Sequence, residues 1–444
     1  MITAPICEFV RRYRYSGALR MHMPGHKGTA LLGPEPLDLT EIEGADVLYH
    51  AEGIIRESEA NAAALFGTKK TVYSAEGSSL CIRAMLYLAL LHARANHKKP
   101  VIAAGRNAHK VFMTAAALLD LDIRWIYGTE SVISCAITPA QLEGVIVSEN
   151  PAAVYITSPD YLGNIADIKS LSTVCKKHGV LLLVDNAHGA YLRFLPKPMH
   201  PMQLGADICC DSAHKTLPVL TGGAYLHIAH GTPDMFAQHA ESAMALFAST
   251  SPSYLILQSL DAMNPLLATS FPAQLKACAE RLDTLKAKLR AHGYALCGEE
   301  RTKLCLLPKS FGYTGTALAE ILTHSNIYCE FSDADHLVMM FTPETTPADF
   351  ARLERALLSV LPAPAILSKP PVPPHAERVL SPREALFSPS ETLPLSECEN
   401  RILADANVSC PPAVPLAVCG ERLTPEVISA MEYYGTEHCT VVVE

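Results

Sequence analysis

The stretch DICCDSAHK, Asp207 to Lys215, ends on a lysine, and an apolar run with two glycines follows it. A primary amine set between apolar segments loses hydration, so a neutral or covalent state suits it better than an ammonium. Condensation with an aldehyde, giving an imine at Lys215, meets that condition. Ser212 and His214 lie close enough in sequence to donate hydrogen bonds to a phosphate carried by the same aldehyde. The plain alternative is a lysine that snorkels and keeps its head group in water.

Three other clusters bear on the choice. Asp185 ends the apolar run VLLLVD, so its carboxylate falls at a buried strand end. Such a group needs a cation or several donors, and the protonated ring nitrogen of a pyridine is one such partner. The competing role is a helix N-cap. His109, in RNAHK after the apolar VIAAG, is placed to stack on an aromatic ring, although a surface-loop histidine is the simpler reading of it alone. Ser74, Gly77, Ser78 and Ser79 belong to SAEGSS at the start of a helical pattern, where backbone N–H groups and the helix dipole favour an anion. Taken singly, that tract is more often an ordinary N-cap. Taken together, a phosphate cup, a stacking group, a ring-nitrogen partner and an imine lysine form the parts list for pyridoxal phosphate. Asp185 and Lys215 are 30 residues apart, as successive strand ends require.

The elements that must position these residues alternate. SSLCIRAMLYLALLHARAN, KVFMTAAALLDL and IKSLSTVCKKHG carry helical spacing, the last closed by Gly179. KPVIAAG, DIRWIY, PAAVYIT, VLLLV, ADICC and GGAYLHIA are short apolar strands between them. This order predicts an α/β fold with a mostly parallel sheet covered on both faces, and ligands at the carboxyl ends of its strands. After Ser251 long amphipathic helices and short strands predict a smaller α+β unit. PAPAILSKPPVPPHAE is a Pro-rich linker to a last segment. The boundaries expected are an arm over 1–50, a cofactor-binding large domain over 51–255, a small domain over 256–365 and a C-terminal domain over 366–444.

The chain of 444 residues is 49% hydrophobic and 18% charged, enough apolar material for a large core. A net charge of −9 argues against a non-specific nucleic-acid binder. The fourteen cysteines include no C-x-x-C pair, and the eighteen histidines no H-x-x-x-H pair on a helical pattern, so no metal is expected. No apolar run is long enough to span a membrane and no signal-peptide core is present, so a cytoplasmic enzyme with reduced thiols is expected.

At these residues the sequence resembles the Orn/Lys/Arg decarboxylase family in its short form, pyridoxal-phosphate enzymes of aminotransferase fold type I. LRMHMPGHKG, RNAHK, TSPDYLGNIADI, VDNAHGA, DSAHKTLPVLTGGAYLH, TSPSY, SPREALF and CPPAVPLAVCGERL follow in the family's order. Cys410 and Ala413 depart from it, standing where the family has Tyr and Gly. The resemblance implies that Lys215 holds the cofactor as an imine, Asp185 meets its ring nitrogen and His109 stacks on the ring. It sets Gly77, Ser78, Ser212 and His214 at the phosphate and His188 beside the ring. Thr250 and Ser251 would reach a partner subunit's site in a homodimer or larger assembly, and Glu421 would face the substrate's distal cation. The implied reaction converts lysine, arginine or ornithine to the amine and CO2. An aminotransferase or lyase of the same fold, or a non-catalytic amino-acid binder, are the alternatives.

Overall fold

The structure is a computed structural model. It describes residues 2–128, 134, 136–372, 375–410 and 414–443, without the side chains of 407–410 and 414. The fold is α/β with a mostly parallel sheet, as the alternating pattern predicts. In chain order its strands are β1 (Lys70–Ser74), β2 (Val101–Gly105), β3 (Asp122–Ile126), β4 (Ala153–Thr157), β5 (Leu181–Asp185), β6 (Ile208–Asp211) and β7 (Ala224–Ile228). The chain divides into two compact units, each made of two stretches: Met1–His97 with Ile168–Leu275, and Lys98–Asp167 with Lys276–Glu444.

In the first unit the strands run in the order β1, β7, β6, β5. β5 and β6 are parallel, with Asp185 level with Cys210. β7 is antiparallel to both β6 and β1. Every residue of β5, β6 and β7 is buried. That is why these strands read as unbroken apolar runs rather than as alternating ones. The helix Gly77–Ala95 buries Leu80, Met85, Leu88 and Ala89, and has apolar residues on more than one side because it is enclosed. Beside β7, Phe66 packs on Tyr225 and His227 with ring centroids 5.2 and 4.4 Å apart. Gly179 follows the helix Ile168–Lys177 at φ +63°, the left-handed position that ends such helices.

The second unit holds the parallel strands β4, β2 and β3. It also contains a four-stranded antiparallel sheet. The strands of that sheet are β8 (Ala295–Cys297), β9 (Lys303–Leu307), β10 (Phe331–Ser332) and β11 (Leu337–Met340), in the order β10, β11, β9, β8. β9 is buried on both faces. Leu304 and Leu306 join Leu282, Leu285, Leu289 and Phe350 in one apolar cluster. Cys305 turns the other way, to Leu162, Val338 and Leu403. Two further antiparallel pairs follow the Pro-rich tract. β12 (Ser390–Pro394) pairs with β15 (His438–Val442), and β13 (Asn407–Cys410) pairs with β14 (Val414–Val418). Cys410 thus closes a strand, while Ala413 lies outside the described residues. No helix among the described residues is long and apolar enough to cross a membrane.

The first unit buries an acid whose carboxyl titrates well above its ordinary range. Glu59 is 5% exposed and accepts the Tyr73 N–H at 2.8 Å. Burial, opposed by that hydrogen bond and reinforced by Glu241, lifts its carboxyl from 4.5 to about 8. The folded chain therefore keeps a proton that the unfolded chain releases near 4.5. Stability is full below that pH and declines as pH rises toward 8, because the native state binds the extra proton. Glu59→Gln should keep the bond from Tyr73 and flatten this decline. Thermal melts of both proteins at a series of pH values between 5 and 8 check it.

Candidate active site

β5 delivers Asp185 to a turn, Asn186–Gly189, in which Gly189 N–H donates to the Asn186 carbonyl at 2.7 Å. Asp185 is 2% exposed. Its Oδ1 accepts the Ala187 N–H at 3.2 Å and lies 3.6 Å from the Cys210 thiol on the neighbouring strand. Burial and the adjacent carboxylate hold that thiol protonated, well above its ordinary range, so it serves as a weak donor. Gly189 is there for space: a Cβ would stand 2.0 Å from Asn186 Oδ1.

His188 leaves the same turn and is buried. Its Nε2 lies 3.1 Å from Lys215 Nζ. Lys215 sits in the single turn Ala213–Thr216 that follows β6, so the parallel pair β5–β6 brings the two motifs together from 27 residues apart. The amine of this half-buried lysine thus has an imidazole nitrogen as a partner. The contact requires the ring nitrogen to offer its lone pair or the amine to be neutral.

Ser212 and His214 flank the lysine. Ser212 Oγ donates to Ser78 Oγ at 2.7 Å. His214 Nδ1 lies 3.0 Å from the Gly223 carbonyl, which can only accept, so that nitrogen carries the proton. Burial, opposed by the bond to the Gly223 carbonyl, lowers this imidazole's pKa. Gly77 opens the helix Gly77–Ala95 at φ +72°, with its N–H on the Gly222 carbonyl at 2.7 Å. No side chain caps this helix. A plain serine N-cap is therefore not what SAEGSS forms. Ser74 instead braces the turn, donating to the Gly77 carbonyl and accepting the Glu76 N–H. The charge of Glu76 is taken up by the Ser249 N–H at 2.7 Å. Ser78 and Ser79 stand in the uncapped first turn, where backbone N–H groups of a helix collect anions. Thr250 and Ser251 are exposed.

In the second unit His109 is the N-cap of the helix Lys110–Leu119, its Nδ1 accepting the Val111 N–H at 3.2 Å. Glu421 is 1% exposed and both its oxygens take the Arg106 guanidinium, at 2.9 and 2.7 Å. Arg106 also lies over the rings of Trp125 and Tyr127.

Sequence reasoning missed three residues. Arg106 was visible only as part of RNAHK. Cys210 looked like an ordinary buried thiol. Asp211, fully buried, accepts from Asn186 Nδ2 at 2.7 Å and is 2.9 and 3.2 Å from the Nε2 atoms of His200 and His227. Its polar position at the end of ADICCD was the available signal.

The residues in hand fit pyridoxal phosphate. A buried carboxylate suits a ring N–H, an amine is held by an imidazole rather than by solvent, and an uncapped helix start with two hydroxyls beside it suits a phosphate. An α/β fold with these groups after its parallel strands defines a pyridoxal-phosphate enzyme of aminotransferase fold type I. More closely, the chain belongs to the Orn/Lys/Arg decarboxylase family, whose major-domain model matches residues 4–296. The arginine decarboxylase of Bacillus subtilis (strain 168) is 30% identical over 463 residues, covering 96% of this chain and 92% of that one. The arginine decarboxylase of Halalkalibacterium halodurans is 28% identical over 95% of this chain and 91% of its own. The solved lysine decarboxylase of Francisella novicida has the same fold, with a TM-score of 0.80, 16% identity, and coverage of 100% of this chain and 81% of that one. The protein is a pyridoxal-phosphate-dependent decarboxylase of a basic amino acid.

Two outcomes follow. Lys215→Ala should lose the visible absorbance that the purified wild type shows with its cofactor, while melting with unchanged cooperativity; a spectrum like wild type would remove Lys215 from its role. Arg106→Ala leaves the Glu421 carboxylate buried without its guanidinium, which should cost about 3–5 kcal/mol in denaturant unfolding.

Proposed function

We propose that the substrate is arginine and that the enzyme releases CO2 from it to leave the corresponding amine. The observation that carries this choice is the 30% identity to an arginine decarboxylase across 96% of the chain. Pyridoxal phosphate, when bound, supplies an aldehyde for the amino group and a ring that accepts the electron pair left as CO2 departs. In this reading Asp185 keeps the proton on the ring nitrogen, since a carboxylate buried beside it favours the charged form. Lys215 Nζ is the amine that would hold the aldehyde. That amine and the His188 imidazole, 3.1 Å apart, hold a proton for return to Cα. Gly77, Ser78, Ser79, Ser212 and His214 would receive the phosphate, with Ser74 bracing that turn, and His109 would stack on the ring.

Glu421 is the substrate-side proposal with a condition attached. Its carboxylate already binds one guanidinium in bidentate fashion, so a substrate guanidinium must displace Arg106 to use it. We also read the working form as a cytoplasmic homodimer in which the exposed Thr250 and Ser251 approach the partner's site.

Purified protein saturated with pyridoxal phosphate should be given arginine, lysine and ornithine separately, with amine and CO2 followed by mass spectrometry. Arginine is expected to show the highest kcat/KM. Faster turnover of lysine or ornithine would overturn the substrate assignment, and a keto acid product would overturn the reaction.

A further inference from the structure

β8 and β9 place two cysteines directly opposite each other, Cys297 against Cys305. Their sulfurs lie 3.1 Å apart. Cys305 is buried in an apolar cluster with Leu162, Val338 and Leu403. Cys297 packs on the edge of that cluster and is only partly buried. The pair is therefore asymmetric: Cys297 is a partly exposed residue and Cys305 is buried.

The electrostatics of the two sulfurs are asymmetric as well. The hydrogen bond with Cys305, opposed by burial and helped by the nearby His336, lowers the pKa of the Cys297 thiol. The same hydrogen bond and burial push the Cys305 thiol far up. His336 is itself held toward its charged form: burial works against this, but the Asp333 carboxylate, 3.2 Å away, outweighs it. A partly exposed cysteine whose thiol pKa is lowered, set against a buried one whose thiol pKa is raised, is the arrangement of an attacking and a resolving cysteine.

We propose that Cys297 and Cys305 form a reversible oxidation site, closed to a disulfide by a peroxide. The Cys297 thiolate attacks one oxygen of the peroxide, the O–O bond breaks, and hydroxide leaves, giving a sulfenic acid. The Cys305 thiol then attacks that sulfur, the S–S bond forms and water leaves. Two thiols have lost two electrons and two protons, and hydrogen peroxide has become two waters.

The place in the fold says what closure would hold. The turn joining the two strands carries Glu299 and Glu300, whose N–H groups both bond the Gly163 carbonyl, at 2.8 and 2.9 Å. Lys303, at the start of β9, reaches the Asp160 carbonyl at 3.2 Å and pairs with Glu300 at 2.8 Å. Gly298 is at φ +78°, and a Cβ there would stand 2.2 Å from the Leu162 carbonyl. A disulfide across β8 and β9 would lock the base of the hairpin that clamps the turn Asp160–Gly163.

The test uses the full chain saturated with pyridoxal phosphate, exposed to hydrogen peroxide, alkylated and digested with trypsin. Cleavage after Arg290, Arg301, Lys303 and Lys309 separates Ala291–Arg301 from Leu304–Lys309, each with one cysteine. The expected result is one cross-linked species of these two peptides, lighter by two hydrogens than their sum, which dithiothreitol returns to free thiols. Cys297→Ser and Cys305→Ser should each abolish it. Cys297→Ser lies at the cluster's edge and, if folded by its melting profile, controls for loss of structure in Cys305→Ser. Recovery of both wild-type peptides with alkylated thiols would overturn the proposal. So would direct passage of Cys297 to the sulfinic acid without a cross-link.

Discussion

A carboxylate with no solvent exposure, Asp211, holds together the turns that follow β5 and β6 in the first unit. Burial works to protonate it, yet the imidazoles of His200 and His227 outweigh burial and keep it ionised below the usual carboxylate range. Its remaining oxygen accepts from Asn186 and faces the Cys209 thiol. Such a group is costly to bury unless every lone pair finds a donor, and here the donors come from four separate segments. Asn186 is the residue after Asp185, and Ser212 is the residue after Asp211. The charge therefore ties the turn that bears Asp185 and His188 to the turn that bears Lys215.

The two turns are also joined through the parallel register of β5 and β6. That register sets Asp185 level with Cys210 and leaves His188 and Lys215 to meet beyond the strand ends. The antiparallel β7 closes the other side, returning Gly222 and Gly223 under Gly77 and His214. Glycine at 222 is required at that approach: its φ is +99° and a Cβ would stand 2.8 Å from the Ala75 carbonyl. The turns that bear Gly77, Lys215 and Asp185 are thus joined in one hydrogen-bonded assembly. This is what a cofactor reaction governed by orientation needs.

Much of the fold was legible because the strands are buried on both faces. A run such as VLLLVD has one reading when it is short, apolar and followed by polar residues, and β5 spans Leu181–Asp185. The helix Gly77–Ala95 was visible from its spacing, although its start was easier to take for a serine cap than for an uncapped end. Glu76 is a negative charge next to the proposed anion site. Its carboxylate is spent on Ser249, which lies 173 residues away and carries no local signal. Arg106 and Glu421 stand in separate motifs, and nothing in either motif pairs residues 315 positions apart.

The chain's pattern by itself determined the class of fold and the family, and pointed to the strand ends proposed to carry chemistry, because hydrophobic runs, turn residues and ordered motifs are local properties. Only the tertiary structure decided the partners: His188 with Lys215, Ser78 with Ser212, Asn186 with Asp211, Cys297 with Cys305. Each of those contacts depends on strand register or on which donor reaches a buried acceptor first. Register and reach are set by the packing of the whole unit, so no window of sequence contains them.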